Sequence, residues 1–262
     1  MDWTLGIVGG SGMLGSAILR TVLDKGVLPP ERIWIANRSG SAEIAADNPG
    51  LNLTTRSQEI AENCDVILLA IPPAALGDLS LDAPDRLIIS VMAGVTLETL
   101  EARTNSPRVI RAMSSPAAGI GLAYSPWCAA SAIDATDVER VEALFSSCGL
   151  TDRVETEEQI ECFTAITGPV PGFVAFFAEA MVEFAVARGI APEIADRAIR
   201  QLFLGAGSMM AKGSATPAQH VQEMIDYAGT TAAGLNAMKT SFIAKDIGTG
   251  LEAAVAKTRA MG

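Results

Sequence analysis

The loop Gly9-Gly10-Ser11-Gly12-Met13-Leu14-Gly15 contains the spacing Gly10-x-Gly12-x-x-Gly15. The chemistry this spacing serves is pyrophosphate binding. Its first glycine permits a tight turn, its second lets the backbone approach the phosphates, and its third lets a helix pack closely on a strand. Free amides at a helix start, together with the positive end of the helix dipole, then favour the anion. The expected contacts are Gly10, Ser11, Gly12, Met13 and Leu14. Roughly 20 residues past the last glycine, such a site places the residue that reads the adenosine ribose. Here that position is Asn37, followed by Arg38 and Ser39. A carboxylate there would accept from a free 2′-hydroxyl and repel a phosphate. Asn-Arg-Ser instead offers donors and a planar cation to a 2′-phosphate. The expectation is NADP(H) in preference to NAD(H). The competing reading is a glycine turn used only for packing, with Arg38 a solvated surface charge.

Other chemistries find few residues. His220 is the only histidine, and Cys64, Cys128, Cys148 and Cys162 form no C-x-x-C pair. No metal site and no disulfide framework is expected, and the thiols read as buried and structural. A Ser-His-Asp hydrolase would need a G-x-S-x-G elbow, which is missing. A net charge of −11 argues against nucleic acid or an anionic membrane, because both demand a surplus of Lys and Arg. The uncharged run Ala112 to Ile133 contains two prolines and two glycines, which rules out one continuous spanning helix. The N-terminal Met1-Asp2-Trp3-Thr4 lacks a basic n-region, so a cytoplasmic location is expected.

The elements that must position the loop are legible in the hydrophobic pattern. The chain has 262 residues, 49% of them hydrophobic, enough for one large domain or two ordinary ones. Thr4–Val8 reads as a buried strand before the loop, and Ile18, Leu19, Val22 and Leu23 form a helical stripe after it. Further strands are expected at Arg32–Ala36, Val66–Ile71, Leu87–Ser90, Val109–Ile110 and near Ala123–Cys128. A short helix is expected over Ser57–Glu62, and Thr136 with Glu139 has capping-box spacing for another. Near-continuous apolar strands separated by helices imply an α/β fold: an N-terminal Rossmann-type, doubly wound parallel sheet over residues 1–155. Residues 156–262 read as an all-helical domain, with helices over Phe163–Ala187, Ala191–Met210, Thr216–Tyr227, Thr230–Thr240 and Gly250–Ala260. The first of these is apolar almost all round and must be covered by its own domain or by a partner chain. A homodimer or higher homo-oligomer is the expectation.

Read together, several segments resemble the pyrroline-5-carboxylate reductase family. They are Gly12-Met13-x-Gly15-Ser16-Ala17-Ile18, Asn37-Arg38, Leu69-Ala70-Ile71-x-Pro73, Ser90-Val91-Met92-Ala93-Gly94-Val95 and Arg111-x-Met113. Ile160 to Phe173 is similar to the family's L-D-A-V-T-A-L-S-G-S-G-P-A-Y/F. Pro217 to Thr231 keeps the spacing of P-x-x-L-x-x-x-V-x-S-P-G-G-T-T. The resemblance implies a helical dimerisation domain and NAD(P)H-dependent reduction of a cyclic imine, 1-pyrroline-5-carboxylate to proline or a related cyclic imino acid. It implies cofactor contacts from Ala70, Ile71, Pro72 and Ala93. It also implies a substrate site built from Thr167, Gly168, Val170, Gly172, Gly229, Thr230 and Thr231. Thr231 would be the catalytic hydroxyl beside the imine nitrogen; taken alone, Thr230-Thr231 reads first as a helix cap, and only the family spacing sets the functional reading level with it. Pro169, Val170, Asp226 and Tyr227 depart from the family pattern and bear on which imine is taken. His220, at the family's leucine, reads as a satisfied structural histidine. Two alternatives stand beside this reading. One is a non-catalytic NADP-binding regulatory protein. The other, a β-hydroxyacid-type dehydrogenase, is disfavoured because Phe173–Ala187 lacks the lysine such enzymes use.

Overall fold

The computed structural model describes residues 2–261. Two compact units emerge: one comprises the chain up to Val170 together with the segment from Ala253, the other Pro171–Glu252. The first unit is built on a seven-stranded sheet. Its strands are β1 (Leu5–Val8), β2 (Ile33–Ala36), β3 (Asn52–Thr54), β4 (Val66–Leu69), β5 (Leu87–Ser90), β6 (Val109–Ala112) and β8 (Trp127–Ala129), in the order β3-β2-β1-β4-β5-β6-β8. β7 (Ala123–Tyr124) pairs outside it with β9 (Gly149–Leu150). All pairings in the large sheet are parallel except β6 with β8. β1, β4 and β5 carry apolar side chains on both faces and are buried throughout, as strands covered on both faces must be. The chain walks outward from β1 to β3 and then crosses back to β4 on the other side of β1. This reversal opens a crevice at the carboxyl ends of β1 and β4, where doubly wound folds bind their ligands.

Helices α1 (Met13–Asp24), α2 (Ser57–Asn63), α3 (Leu97–Thr104), α4 (Ala135–Cys148) and α5 (Glu157–Ile166) complete this unit with the end of α10 (Ile243–Arg259). Two of them begin with reciprocal caps. Asp134 accepts from the Asp137 amide at 2.9 Å, and Thr156 and Gln159 do the same for α5. The α4 box therefore sits two residues before the Thr136–Glu139 spacing, because a carboxylate can fill both roles. α3 and β3 lie where the sequence pattern is too short or too polar to announce them.

The second unit contains α6 (Gly172–Val186), α7 (Pro192–Lys212), α8 (Pro217–Asp226), α9 (Thr230–Lys239) and the start of α10. The single helix expected over Phe163–Ala187 is two helices. Pro169 and Pro171 have no N–H to donate, so α5 ends at Ile166 and α6 starts only at Gly172. α10 begins at Ile243, earlier than expected, and carries Gly248 and Gly250 in its interior. α6 has no buried residue, and Phe176 and Phe184 are exposed. Among the described residues no helix is long and apolar enough to cross a membrane.

The thiols separate into two groups. Cys64, Cys128 and Cys148 are buried, whereas Cys162 on α5 is exposed, which corrects the expectation of four buried thiols. Burial disfavours the thiolate and pushes Cys64 up to about 12 and Cys128 up to about 11. Near pH ~8 only the thiolate attacks a disulfide reagent. At most one thiol per folded chain is expected to react with Ellman's reagent within minutes, and all four after denaturation. Rapid reaction of two or more thiols in the folded protein would contradict this packing.

Candidate active site

The glycine loop is shaped by three close approaches. Gly9 takes φ +91°, a conformation disfavoured for any residue with a Cβ, and its amide donates to the Ala36 carbonyl at 2.9 Å. A Cβ on Gly9 would stand 2.6 Å from the Ala70 carbonyl oxygen, so the β1 and β4 loops touch there. A Cβ on buried Gly15 would collide with the Gly9 carbonyl, which fixes the helix start against the turn. Gly12 caps α1 without a side chain, and the first turn of α1 contains no acidic residue. Among the described residues the amides of Ser11, Met13 and Leu14 have no backbone acceptor, and Ser11, Gly12 and Met13 are exposed. Free donors, a helix start and no opposing charge are what a pyrophosphate requires.

At the end of β2, the Asn37 side chain donates to the Ser41 carbonyl at 2.8 Å and accepts from the Ser39 hydroxyl at 3.1 Å. These bonds hold a tight turn that leaves Arg38 exposed, with no intramolecular partner among the described residues. Ala70, Ile71 and Pro72 follow β4, and Ala93 follows β5. The structure therefore brings every expected cofactor residue to the carboxyl ends of the adjacent strands β2, β1, β4 and β5.

The expected substrate residues divide between the units. Thr167, Gly168 and Val170 lie in the turn after α5. There the Thr167 amide (2.8 Å), the Thr167 hydroxyl (3.0 Å) and the Gly168 amide (3.3 Å) all donate to the Phe163 carbonyl. Those donors close the helix, leaving the Val170 amide without a backbone partner among the described residues. In the second unit, Gly172 opens α6 with its amide likewise unengaged, and Gly229-Thr230-Thr231 opens α9. Gly229 is the cap residue and receives no side-chain bond. The hydroxyls of Thr230 and Thr231 are not spent on capping, and both residues are exposed. Tyr227 is 84% exposed, with its ring 3.5 Å from where a Gly229 Cβ would lie. Asp226 accepts from Gln222 at 2.7 Å. His220 is not fully satisfied: Nδ1 lies 3.7 Å from Glu223, and Nε2 is buried without a partner.

One buried, ion-paired residue beside the turn after α5 was not singled out by its sequence context. Arg111, at the end of β6, is 1% exposed and pairs with Glu157 at 2.8 Å and Glu161 at 4.0 Å. Only its place in the Arg111-x-Met113 segment marks it, and nothing local in the sequence points to its two partners. Among the described residues no cluster of His, Cys, Asp or Glu is arranged to hold a metal ion.

Comparison with known proteins agrees with this geometry. Residues 157–261 match the family model for pyrroline-5-carboxylate reductase dimerisation, and residues 4–94 match that for NADP oxidoreductase, coenzyme F420-dependent. Pyrroline-5-carboxylate reductase 2 of Bacillus subtilis is 30% identical, covering 88% of this chain and 86% of its own. The pyrroline-5-carboxylate reductase of Thermus thermophilus is 30% identical over 97% of both chains. The crystal structure of Plasmodium falciparum pyrroline carboxylate reductase with NADP bound superposes with a TM-score of 0.82 at 25% identity, covering 100% of this chain and 98% of the other. The first unit is thus the fold of an NAD(P)-binding oxidoreductase, and the chain belongs to the pyrroline-5-carboxylate reductase family.

Proposed function

We propose that this protein is an NADPH-dependent reductase that converts 1-pyrroline-5-carboxylate to proline. One observation carries the reading. A dinucleotide crevice with unengaged amides shares a chain with a Gly229-Thr230-Thr231 helix start whose hydroxyls are not used for capping. Bound NADPH supplies a hydride for the imine carbon, and the protonated imine nitrogen becomes the amine of proline. The chain itself needs no strong acid or base, because a protonated C=N is already electrophilic; its task is orientation and exclusion of water. The amides of Ser11, Met13 and Leu14 would hold the pyrophosphate, and Ala70, Ile71, Pro72 and Ala93 would supply the further cofactor contacts. Within the first unit the Val170 amide, and within the second the Gly172 amide and the Thr231 hydroxyl, are the groups that would be offered to the substrate carboxylate and imine nitrogen. The working form is a homodimer or larger homo-oligomer that covers the exposed apolar face of α6.

NADPH oxidation measured in parallel on pyrroline-5-carboxylate, pyrroline-2-carboxylate and piperideine carboxylates tests the substrate. The expected result is highest kcat/KM on pyrroline-5-carboxylate. Preference for another ring would assign Pro169, Val170 and Tyr227 to a different imine, and saturable NADPH binding without any turnover would overturn the enzyme reading.

NADP preference rests on Arg38, exposed and without a partner among the described residues, where a 2′-phosphate would lie. Arg38→Asp is expected to weaken NADPH binding by ~10²-fold while leaving NADH within a few-fold, since the lost contact is a charge-assisted one replaced by repulsion. Equal losses for both cofactors would remove Arg38 from the ribose site.

A further inference from the structure

We infer that Arg111 is a positioning residue: its buried guanidinium clamps α5 to the sheet and so sets the Thr167–Val170 turn against the cofactor loop after β5. The inference rests on the reading of that turn as part of the imine site.

The contacts form a chain. Arg111 is 1% exposed at the carboxyl end of β6. It pairs with Glu157 at 2.8 Å on the first turn of α5, and with Glu161 at 4.0 Å one turn on. Its Nε is buried with no partner of its own, so the two carboxylates are the groups that stabilise this cation. Glu157 also accepts from the Leu97 amide at 2.9 Å, which begins α3 directly after the Ala93–Thr96 segment. One carboxylate therefore ties the loop beyond β5 to the helix that ends at the substrate turn. Glu161 is held from its other side by Arg259 at 2.7 Å.

The far end of α5 is held as well. A Cβ on Gly168 would lie 3.5 Å from the sulfur of Met113, two residues beyond Arg111, so this turn packs directly on the segment that follows β6. Beneath the helix, Ile160, Met113 and Cys128 form a small buried cluster against which Ala93 and Leu97 pack. An apolar cluster alone tolerates sliding, whereas a buried cation between two carboxylates fixes register, because any displacement leaves a charge unpaired. Small misplacements of a bound reactant are costly: about 1 Å can mean ~10²-fold in rate.

The test uses the full-length protein with Arg111→Lys, whose single ammonium cannot span both carboxylates, and with Glu157→Gln and Glu161→Gln, which keep side-chain shape. Circular dichroism selects the variants that fold. In these, NADPH affinity by fluorescence is expected to stay within about 3-fold, while the imine KM rises by ~10-fold or more. Amide hydrogen exchange over residues 160–170 is expected to rise by ~10-fold. Unchanged exchange in that segment overturns the clamp, whatever the kinetics. Faster exchange with a wild-type imine KM overturns its role in the substrate site. A wild-type protein that turns over no imine would instead sink the reductase reading, and exchange would still decide the clamp.

Discussion

Thr231→Val is expected to lower kcat for imine reduction by ~10²-fold, the scale of losing one preorganised hydrogen bond at a reacting centre. NADPH affinity should not change. The substitution is nearly isosteric and removes only the hydroxyl. That hydroxyl is exposed at the first turn of α9, and the cap position belongs to Gly229 rather than to either threonine. A capping role would predict a different signature: a stability loss of about 1 kcal/mol with kcat intact. Thr231→Ser keeps the hydroxyl and should retain most of the rate. Steady-state kinetics and thermal melts on the pair separate the two roles, and a Thr231→Val enzyme with wild-type kcat would remove Thr231 from the chemistry.

Gly12→Val is expected to weaken NADPH binding by ~10²-fold or more with little change in melting temperature, since the second glycine of the loop serves phosphate approach rather than folding. Gly12 has ordinary extended backbone angles and is exposed. A Cβ there would meet the Gly9 carbonyl oxygen at 3.2 Å and the Ala70 carbonyl at 3.9 Å. That contact is tight, short of the collision found at Gly15, and the added methyls stand where the proposed pyrophosphate would come. Gly15→Val provides the contrast: its Cβ would collide with the turn itself, so the expected loss there is of folded protein. Isothermal titration with NADPH, paired with a melt of each variant, checks both. Tight NADPH binding by Gly12→Val would contradict the placement of the pyrophosphate.

The cofactor half of the molecule was legible because its signals are local. A strand, a glycine loop and a helix stripe are contiguous, and Asn37-Arg38-Ser39 lies at a fixed distance beyond them. Strands such as Leu87–Ser90 were readable for the same reason, being short apolar runs between breakers. Asn52–Thr54 was not, since three mixed residues form a strand only because β2 offers them an edge. The break at Thr167–Pro171 was visible as two prolines but masked by the apolar character on either side. The unsatisfied Nε2 of His220 and the exposure of Cys162 depend on what packs nearby, which composition cannot report. Arg111 is the clearest case. Its partners lie 46 and 50 residues away on α5, and only the path of the chain through antiparallel β8, α4 and β9 brings that helix back beside β6.

The most direct test of the central claim follows the hydride. The enzyme is given pyrroline-5-carboxylate with NADPH carrying deuterium at the transferred position of the nicotinamide, and the product is read by mass spectrometry. Proline with one deuterium at C5, the former imine carbon, is expected, formed in step with NADP+. NADPH that binds and is not consumed, or proline without the label, would contradict it.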